Sequence, residues 1–507
     1  MYQSFIGLEV HIHLLTKTKV FCGCRSAFGD EPNTNVCPVC MGYPGVLPSL
    51  NIESMRMGCM VARALGCRIP EKTWFERKQY FYPDMTKNYQ ISQFASPLGQ
   101  EGYVEIEGKI GSKQIKKRIR IKECHLEEDA GKMIHTGTVS LLDYNRAGVS
   151  LLEIVTEPDM ETGEEAELFI QQLRRTVRYL GVCDGNMEEG SLRADANVSI
   201  NLPGKGLGRK VEIKNLNSSR FVKLGLNYEI ARQGELLDAG KTVIQETRLW
   251  NENRDETQPM RQKENAQDYR YFPEPDLPVF TPDAAFLKSV DDAIVELPAP
   301  RAKRLAGDYG LSEEQADLIC EEKAQADYFE DAVTEASANS LAVANTLAAN
   351  KLSKKDMAAR IANWLLQDIK HILGREGIEL RDIGSFRLNP KRLASLTVLS
   401  ASGKISGKNA KQVLEAVISE DKDPEAIIKE RGWELISDPA KIAEAVQKVA
   451  AAEAATLAQA RAALAEGNDK RRQTLSAFLV GKVLAATGGR ADPKIAGSQI
   501  ESLIQGN

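Results

Sequence analysis

No apolar run in this 507-residue sequence is long enough to span a bilayer, and the opening Met1 to Glu9 has neither a basic nor an apolar leader region. The one long uncharged stretch, Asn35 to Ile52, holds three prolines and suits no spanning helix. The reading is a soluble, untargeted chain with no membrane partner. A strong charge of either sign is also missing, since 66 Lys plus Arg stand against 71 Asp plus Glu and the net charge is −5. With 42% hydrophobic and 27% charged residues, this excludes disordered, collagenous and coiled-coil chains. It shows no basic domain of the kind that binds DNA, although a local patch for nucleic acid stays open. Histidine is scarce, with five in the chain. There is no G-x-x-x-x-G-K-[ST], no H-E-x-x-H, no G-x-S-x-G and no serine- and glycine-rich amidase loop. The nine cysteines are an odd number in a chain too long to need disulfides, which points to a reducing cytoplasm.

What is present has an order. At roughly 100 to 200 residues per domain, the length predicts three or four units. The first part mixes short alternating segments with turns, as in Tyr103 to Glu107 and Ile115 to Ile121 around Gly108 to Ser112, and reads as hairpin-rich α+β. Pro273, Pro275 and Pro278, then Pro298 and Pro300, argue against regular helix across 269–278 and 297–300 and mark a boundary. Beyond Arg301 the pattern is helical: Ser312 and Gln315 form a capping-box pair, and Ile361, Trp364, Leu365, Ile369 and Ile372 recur at helical spacing. From about residue 400 the chain is alanine-rich, with Trp433 and Phe478 its only aromatics. The predicted fold is α+β: a mixed or antiparallel sheet domain over 1–295, then all-helical domains over 296–400 and 401–507.

Alternation in the first strand puts Ile6, Leu8, Val10, Ile12 and Leu14 on one face and Gly7, Glu9, His11 and His13 on the other. One carboxylate and two imidazoles on an open strand face suit a divalent metal, or equally a solvated face. Glu127, Glu128 and Asp129 stand in a row, as a metal-binding cluster or an exposed turn. Glu153 sits inside the apolar strand Val149 to Val155 and needs a cation, either a metal or Arg146. Cys22-x-Cys24 and Cys37-x-x-Cys40 have the spacing of a Cys₄ zinc site, and four thiolates close the shell, so the metal is structural. Cys59, Cys67, Cys124, Cys183 and Cys320 show no partner spacing. Gly204, Gly206 and Gly208 read as a hairpin tip. Arg193, Asp195 and Asn197, with Glu212, Lys214 and Leu216 on one face of a second strand, suit either a nucleotide site without a P-loop or a salt-bridged sheet face.

Eight strings carry a resemblance: Ile6 to His11, Tyr43 to Pro48, Arg77 to Asp84, Tyr89 to Gln93, Glu127 to Lys132, Met187 to Arg193, Lys214 to Ser218 and Asp268 to Asp276. In kind and order they resemble the B subunits of aspartyl/glutamyl-tRNA amidotransferase along the whole chain. The resemblance implies a cradle-shaped catalytic domain, a helical domain and a helical tail that binds tRNA. It implies a heterotrimer with an amidase, the A subunit, and a small C subunit. In it, ATP and Mg²⁺ serve to phosphorylate the Glu or Asp side chain of a misacylated tRNA, and ammonia displaces phosphate. By motif, His11, Glu128 and Glu153 match the Mg²⁺ ligands, with Glu9 beside them; Lys78 and Lys87 match the ammonia path; Arg193, Asp195 and Lys214 fall near the phosphorylation and nucleotide site. The cysteines vary among relatives, which fits a structural Zn²⁺, and His13 stands at a variable position. The competing readings are a metallohydrolase using His11 and His13 as a ligand pair, and a zinc-knuckle RNA-binding scaffold.

Overall fold

The computed structural model describes residues 2–260, 269–344, 353–436 and 438–506. Asp268, first residue of the last motif, lies outside them. Two compact units divide the chain, Met1–Pro298 and Ala299–Asn507. The strands are β1 (Gln3–His13), β2 (Glu76–Gln79), β3 (Tyr89–Ser92), β4 (Gly99–Ile110), β5 (Lys113–Glu128), β6 (Lys132–Thr136), β7 (Val139–Asp143), β8 (Ser150–Thr156), β9 (Leu192–Asn201), β10 (Val211–Leu216), β11 (Thr247–Asn251), β12 (Glu256–Pro259) and β13 (Phe272–Pro273). Eight form one sheet in the order β12-β11-β10-β9-β1-β8-β5-β4, antiparallel except between β10 and β11. A three-stranded sheet, β13-β2-β3, and the hairpin β6-β7 complete the set.

Helices α1 (Ile52–Ala64), α2 (Gly163–Tyr179) and α3 (Ser219–Asp238) cover one face of the large sheet, and α4 (Ala284–Ala293) packs on α1. The inward residues of β1, Ile6, Leu8, Val10 and Ile12, are buried against Phe169, Ile170 and Leu173 of α2 in one apolar core. Burial of each such side chain contributes about 1.5–3 kcal/mol. This fixes which residues of β1 remain for the open face: Glu9, His11 and His13. The fold is thus the predicted α+β class, with the mixed sheet first and helices after it.

Three local expectations change. The prolines do not prevent a helix at 298; one begins there, over Pro298–Tyr309, because proline is tolerated in a first helical turn where the N–H groups have no partner. The acidic triplet is no exposed turn, since Glu127, Glu128 and Asp129 are all buried. In β10 the alternation breaks: the register shifts between Ile213 and Leu216, Asn215 adopts φ +65°, and Leu216 turns into the core instead of sharing a face with Lys214. The capping box of Ser312 and Gln315 forms as expected, and a π-helical turn, Trp364–Ile369, interrupts the helical run. In the second unit, the helices between Pro439 and Gln505 have a core of their own around Ile442, Leu479, Val483 and Ile500.

Candidate functional site

The open face of the large sheet brings polar side chains from five strands into register. His11 of β1 stands opposite Glu153 of β8, which stands opposite His125 of β5; on the other flank His11 faces Arg193 and Glu9 faces Asp195 of β9. Nε2 of His125 and of His11 lie 3.0 and 3.2 Å from Oε2 of Glu153, and Glu127 lies 3.9 Å from each imidazole. Burial alone lowers the imidazoles, but the hydrogen bond and charge of Glu153 outweigh it and leave both raised. Glu153 is the converse: burial raises it, and the two imidazoles hold it well below the usual carboxylate range. Glu127 is pushed up by burial and then by the Glu153 charge.

His11, Glu127 and Glu153 each offer a ligand atom, all within 4.8 Å of one another. One imidazole and two carboxylates in a half-buried cluster are a donor set that fits a hard divalent cation. His11 and Glu127 also line a cavity of about 480 Å³, together with Lys78, Tyr80, Arg193, Asp195, Lys214 and Tyr269. Lys214 pairs with Asp195 at 2.9 Å and Glu212 at 3.0 Å; burial lowers its ammonium, and those two carboxylates raise it overall. Lys78 is held at the same cavity, its Nζ 5.0 Å from the Tyr269 ring centroid; burial lowers its ammonium, and Glu127, Tyr271, Glu153 and Tyr269 together raise it overall. Arg193 donates to buried Asp129 at 3.0 Å, while its own Nε is buried without a partner among the described residues.

The family model described as the GatB/GatE catalytic domain matches residues 4–288, and a second, described as the GatB domain, matches 346–504. The chain belongs to the GatB family. A protein of Crocosphaera subtropica, named as the B subunit of aspartyl/glutamyl-tRNA(Asn/Gln) amidotransferase, is 43% identical, aligned over 100% of this chain and 98% of its own. Proteins of the same name from Thermodesulfovibrio yellowstonii and Carboxydothermus hydrogenoformans are each 43% identical, over 99% of both chains and 97% of both chains.

Of the residues matched to the GatB motifs, the structure gathers His11, Glu153, Lys78, Arg193, Asp195 and Lys214 at one place, with Glu9 beside them accepting a bond from Asn197 at 2.9 Å. It does not gather Glu128. A register shift in β5 between Ile121 and Glu123 exchanges the faces, so that Cys124 and Leu126 enter the core and His125 and Glu127 take the open side. Glu128 therefore points away from Glu153. Its carboxylate pairs with Lys87 and accepts from the Ile91 N–H at 2.9 Å. The place expected for Glu128 beside His11 and Glu153 is taken by Glu127, which the burial of Leu126 between two polar neighbours would have indicated. Arg146 is not the partner of Glu153; it lies 3.3 Å from Asp129. His13 also turns to Asp129, at 2.7 Å, so His11 and His13 form no ligand pair.

Cys22, Cys24, Cys37 and Cys40 converge within 4.8 Å, the donor set of a tetrahedral zinc site. A hydrogen bond with Cys22 lowers Cys40 to about 4, and burial pushes Cys24 up to about 11. Beneath them, completely buried Lys19 reaches the Tyr144 carbonyl at 3.2 Å and the Cys40 sulfur at 3.6 Å. Gly42, at φ +67°, seats the knuckle on Lys87: a Cβ there would meet that side chain at 2.7 Å. Cys67 and Cys124, read as unpartnered, lie 4.0 Å apart in the core.

Proposed function

We propose that this chain is the component of a tRNA-dependent amidotransferase that activates and amidates the side-chain carboxylate of Glu or Asp on misacylated tRNA, making Gln-tRNA(Gln), Asn-tRNA(Asn) or both. The observation that carries the reading is the coincidence of the His11, Glu127 and Glu153 cluster with Lys78, Arg193 and Lys214 around one cavity, in a chain alike to B-subunit proteins over its whole length.

A carboxylate is a poor acyl donor. Its oxygen attacks the γ-phosphorus of ATP, the bond to the β-phosphate oxygen breaks, and ADP leaves. Ammonia then attacks the acyl carbon, the bond to the phosphate oxygen breaks, and inorganic phosphate leaves with that electron pair while ammonia loses a proton. Arg193 and Lys214 are placed to balance phosphoryl charge, and the Nε of Arg193, without a partner among the described residues, is a donor ready for an oxyanion. Asp195 positions Lys214 through their 2.9 Å bond. His11, Glu127 and Glu153 would hold a Mg²⁺, which supplies charge neutralisation on the phosphates. Glu9, raised by burial and by Glu153, borders that cluster.

Ammonia reaches the cavity sheltered from water, and Lys87 with Glu128, then Lys78 with Glu127, mark its route along the end of β5. In support, the Lys87–Glu128 pair borders a second cavity of about 210 Å³ beside the cysteine knuckle, and Gln90, a neighbour of the site cavity, donates to the Glu128 carbonyl at 2.8 Å. Ammonia comes from a partner amidase, the A subunit, with a small C subunit completing the heterotrimer, and the knuckle holds a structural Zn²⁺. Residues 401–507 bind tRNA through backbone and shape: few aromatics are available for stacking there, and nine basic residues stand against seven acidic ones from Ile436 onward. Among the described residues no helix is long and apolar enough to cross a membrane, and the proposed compartment is the cytoplasm. A single-turnover assay of the reconstituted complex with Glu-tRNA(Gln) and Asp-tRNA(Asn) tests the reading: amide formation requires ATP. Amidation without ATP overturns it.

A further inference from the structure

Glu153 has an imidazole on each side. In the sheet order β1-β8-β5 it stands opposite His11 on one flank and His125 on the other, and both Nε2 atoms come to the same carboxylate oxygen, Oε2, at 3.2 and 3.0 Å. The two imidazoles are not equivalent. His11 lines the 480 Å³ cavity and belongs to the group of ligand atoms within 4.8 Å of one another, whereas His125 belongs to neither set and stands on the other flank of Glu153. The backbone beside His125 is fixed: Cys124 and Leu126 are completely buried, and the Leu126 N–H donates to the Gln93 side chain at 2.8 Å. Glu127 has a comparable holder in buried Ser92, whose hydroxyl donates to its Oε2 at 3.2 Å.

We infer that His125 is a positioning residue: its Nε2–H holds Oε2 of Glu153 and thereby aims the other oxygen of that carboxylate at a divalent cation bound by His11 and Glu127. The inference deepens the function proposed above and rests on it. An unrestrained carboxylate turns about its terminal bond and presents either oxygen. An outer hydrogen bond removes that freedom. His11 cannot supply it while serving as a ligand, because the lone pair on its Nε2 then points at the cation and no proton remains there to donate. His125, outside the ligand group, keeps its proton for Glu153. Balancing one buried carboxylate takes a single imidazolium, and the second imidazole is accounted for once the first is a ligand.

The test reads metal binding directly, with Mn²⁺ as the probe in the reconstituted complex without nucleotide, and counts only the Mn²⁺ whose binding Glu153→Gln abolishes. His125→Leu removes the N–H at similar volume, and His125→Gln restores an N–H at the place of Nε2. Outer partners of metal ligands are worth about 10- to 100-fold in metal affinity, so His125→Leu should raise the Mn²⁺ Kd by that factor and His125→Gln should return it close to the wild-type value. The coupling of a coordinated nitrogen in the Mn²⁺ electron spin echo spectrum should persist in His125→Gln and vanish in His11→Ala. Wild-type Mn²⁺ affinity in His125→Leu overturns the inference. Mn²⁺ loss that comes with a fall in Tm, or equal loss in the leucine and glutamine variants, marks a packing residue and overturns it. So does loss of the nitrogen coupling in His125→Gln, which makes His125 a ligand, and so does a wild-type complex with no such Mn²⁺ site. Failure of the functional reading shows separately, as amidation independent of ATP in a complex that binds Mn²⁺ normally.

Discussion

Replacing Lys19 with methionine separates two states of the cysteine knuckle by the sign of the effect. Lys19 is fully buried, and its ammonium contacts the Tyr144 carbonyl and the Cys40 sulfur. A buried ammonium needs an anionic partner. Four zinc-bound thiolates leave a net charge of −2, which Lys19 offsets. At the 3.6 Å separation of Nζ and Sγ, one charge pair at an effective dielectric near 20 is worth roughly 4–5 kcal/mol. Desolvation cancels part of this, and breaking a buried pair commonly costs about 3–5 kcal/mol. Lys19→Met keeps most of the volume, so the expected loss is about 3 kcal/mol, a fall in Tm of roughly 5–10 °C for a unit of this size. Metal analysis should find about one zinc per wild-type chain, and a chromophoric chelator should strip it faster from the variant. Four neutral thiols give the opposite sign, because the variant then removes an uncompensated buried charge. An unchanged or higher Tm, with undiminished zinc retention, refutes the reasoning.

Two further outcomes are expected. Arg304 and Arg301 hold the Glu330 carboxylate to about 2 against the effect of its burial. Its pKa is lower folded than unfolded, so its stabilisation is present above about pH 4.5 and is lost as pH falls toward 2. Glu330→Gln should cost about 1–2 kcal/mol at pH 7 after solvent screening, shrinking toward zero near pH 2; chemical denaturation at both pH values checks this, and an equal cost at both contradicts it. Removing residues 439–505, which carry their own core, should raise the KM for charged tRNA while the partner's glutaminase continues. An unchanged tRNA KM at physiological salt counts against tRNA binding by the tail.

The open face of β1 was legible because a period-two pattern with apolar residues on alternate positions leaves one arrangement for Glu9, His11 and His13. The capping box at Ser312 and the Cys₄ convergence were legible for a similar reason: short spacings determine them. The exchange of Glu127 for Glu128 was not, because one shifted residue in β5 reverses every later side chain. The same holds for Leu216, whose inward turn depends on Asn215 entering the left-handed region. Partners distant in sequence were also hidden. Glu153 meets His125 through strand order, Arg146 is drawn to Asp129, and Lys19 finds Cys40 only once the knuckle folds over it.

The account stands on phosphorylation in the cavity of His11, Glu127 and Glu153, and comparing Glu127→Gln with Glu128→Gln in the reconstituted complex tests it most directly. Both changes conserve volume and remove one buried carboxylate. Loss of a metal ligand removes several kcal/mol of transition-state stabilisation, at about 1.4 kcal/mol per decade. Glu127→Gln should therefore lower tRNA-dependent ADP formation and amide formation together, on the order of a hundredfold or more. Glu128→Gln, which releases Lys87 on the ammonia side, should keep ADP formation and lose amide formed per ADP. Near-normal tRNA-dependent ADP formation by Glu127→Gln, with loss in Glu128→Gln instead, would contradict the placement of the site.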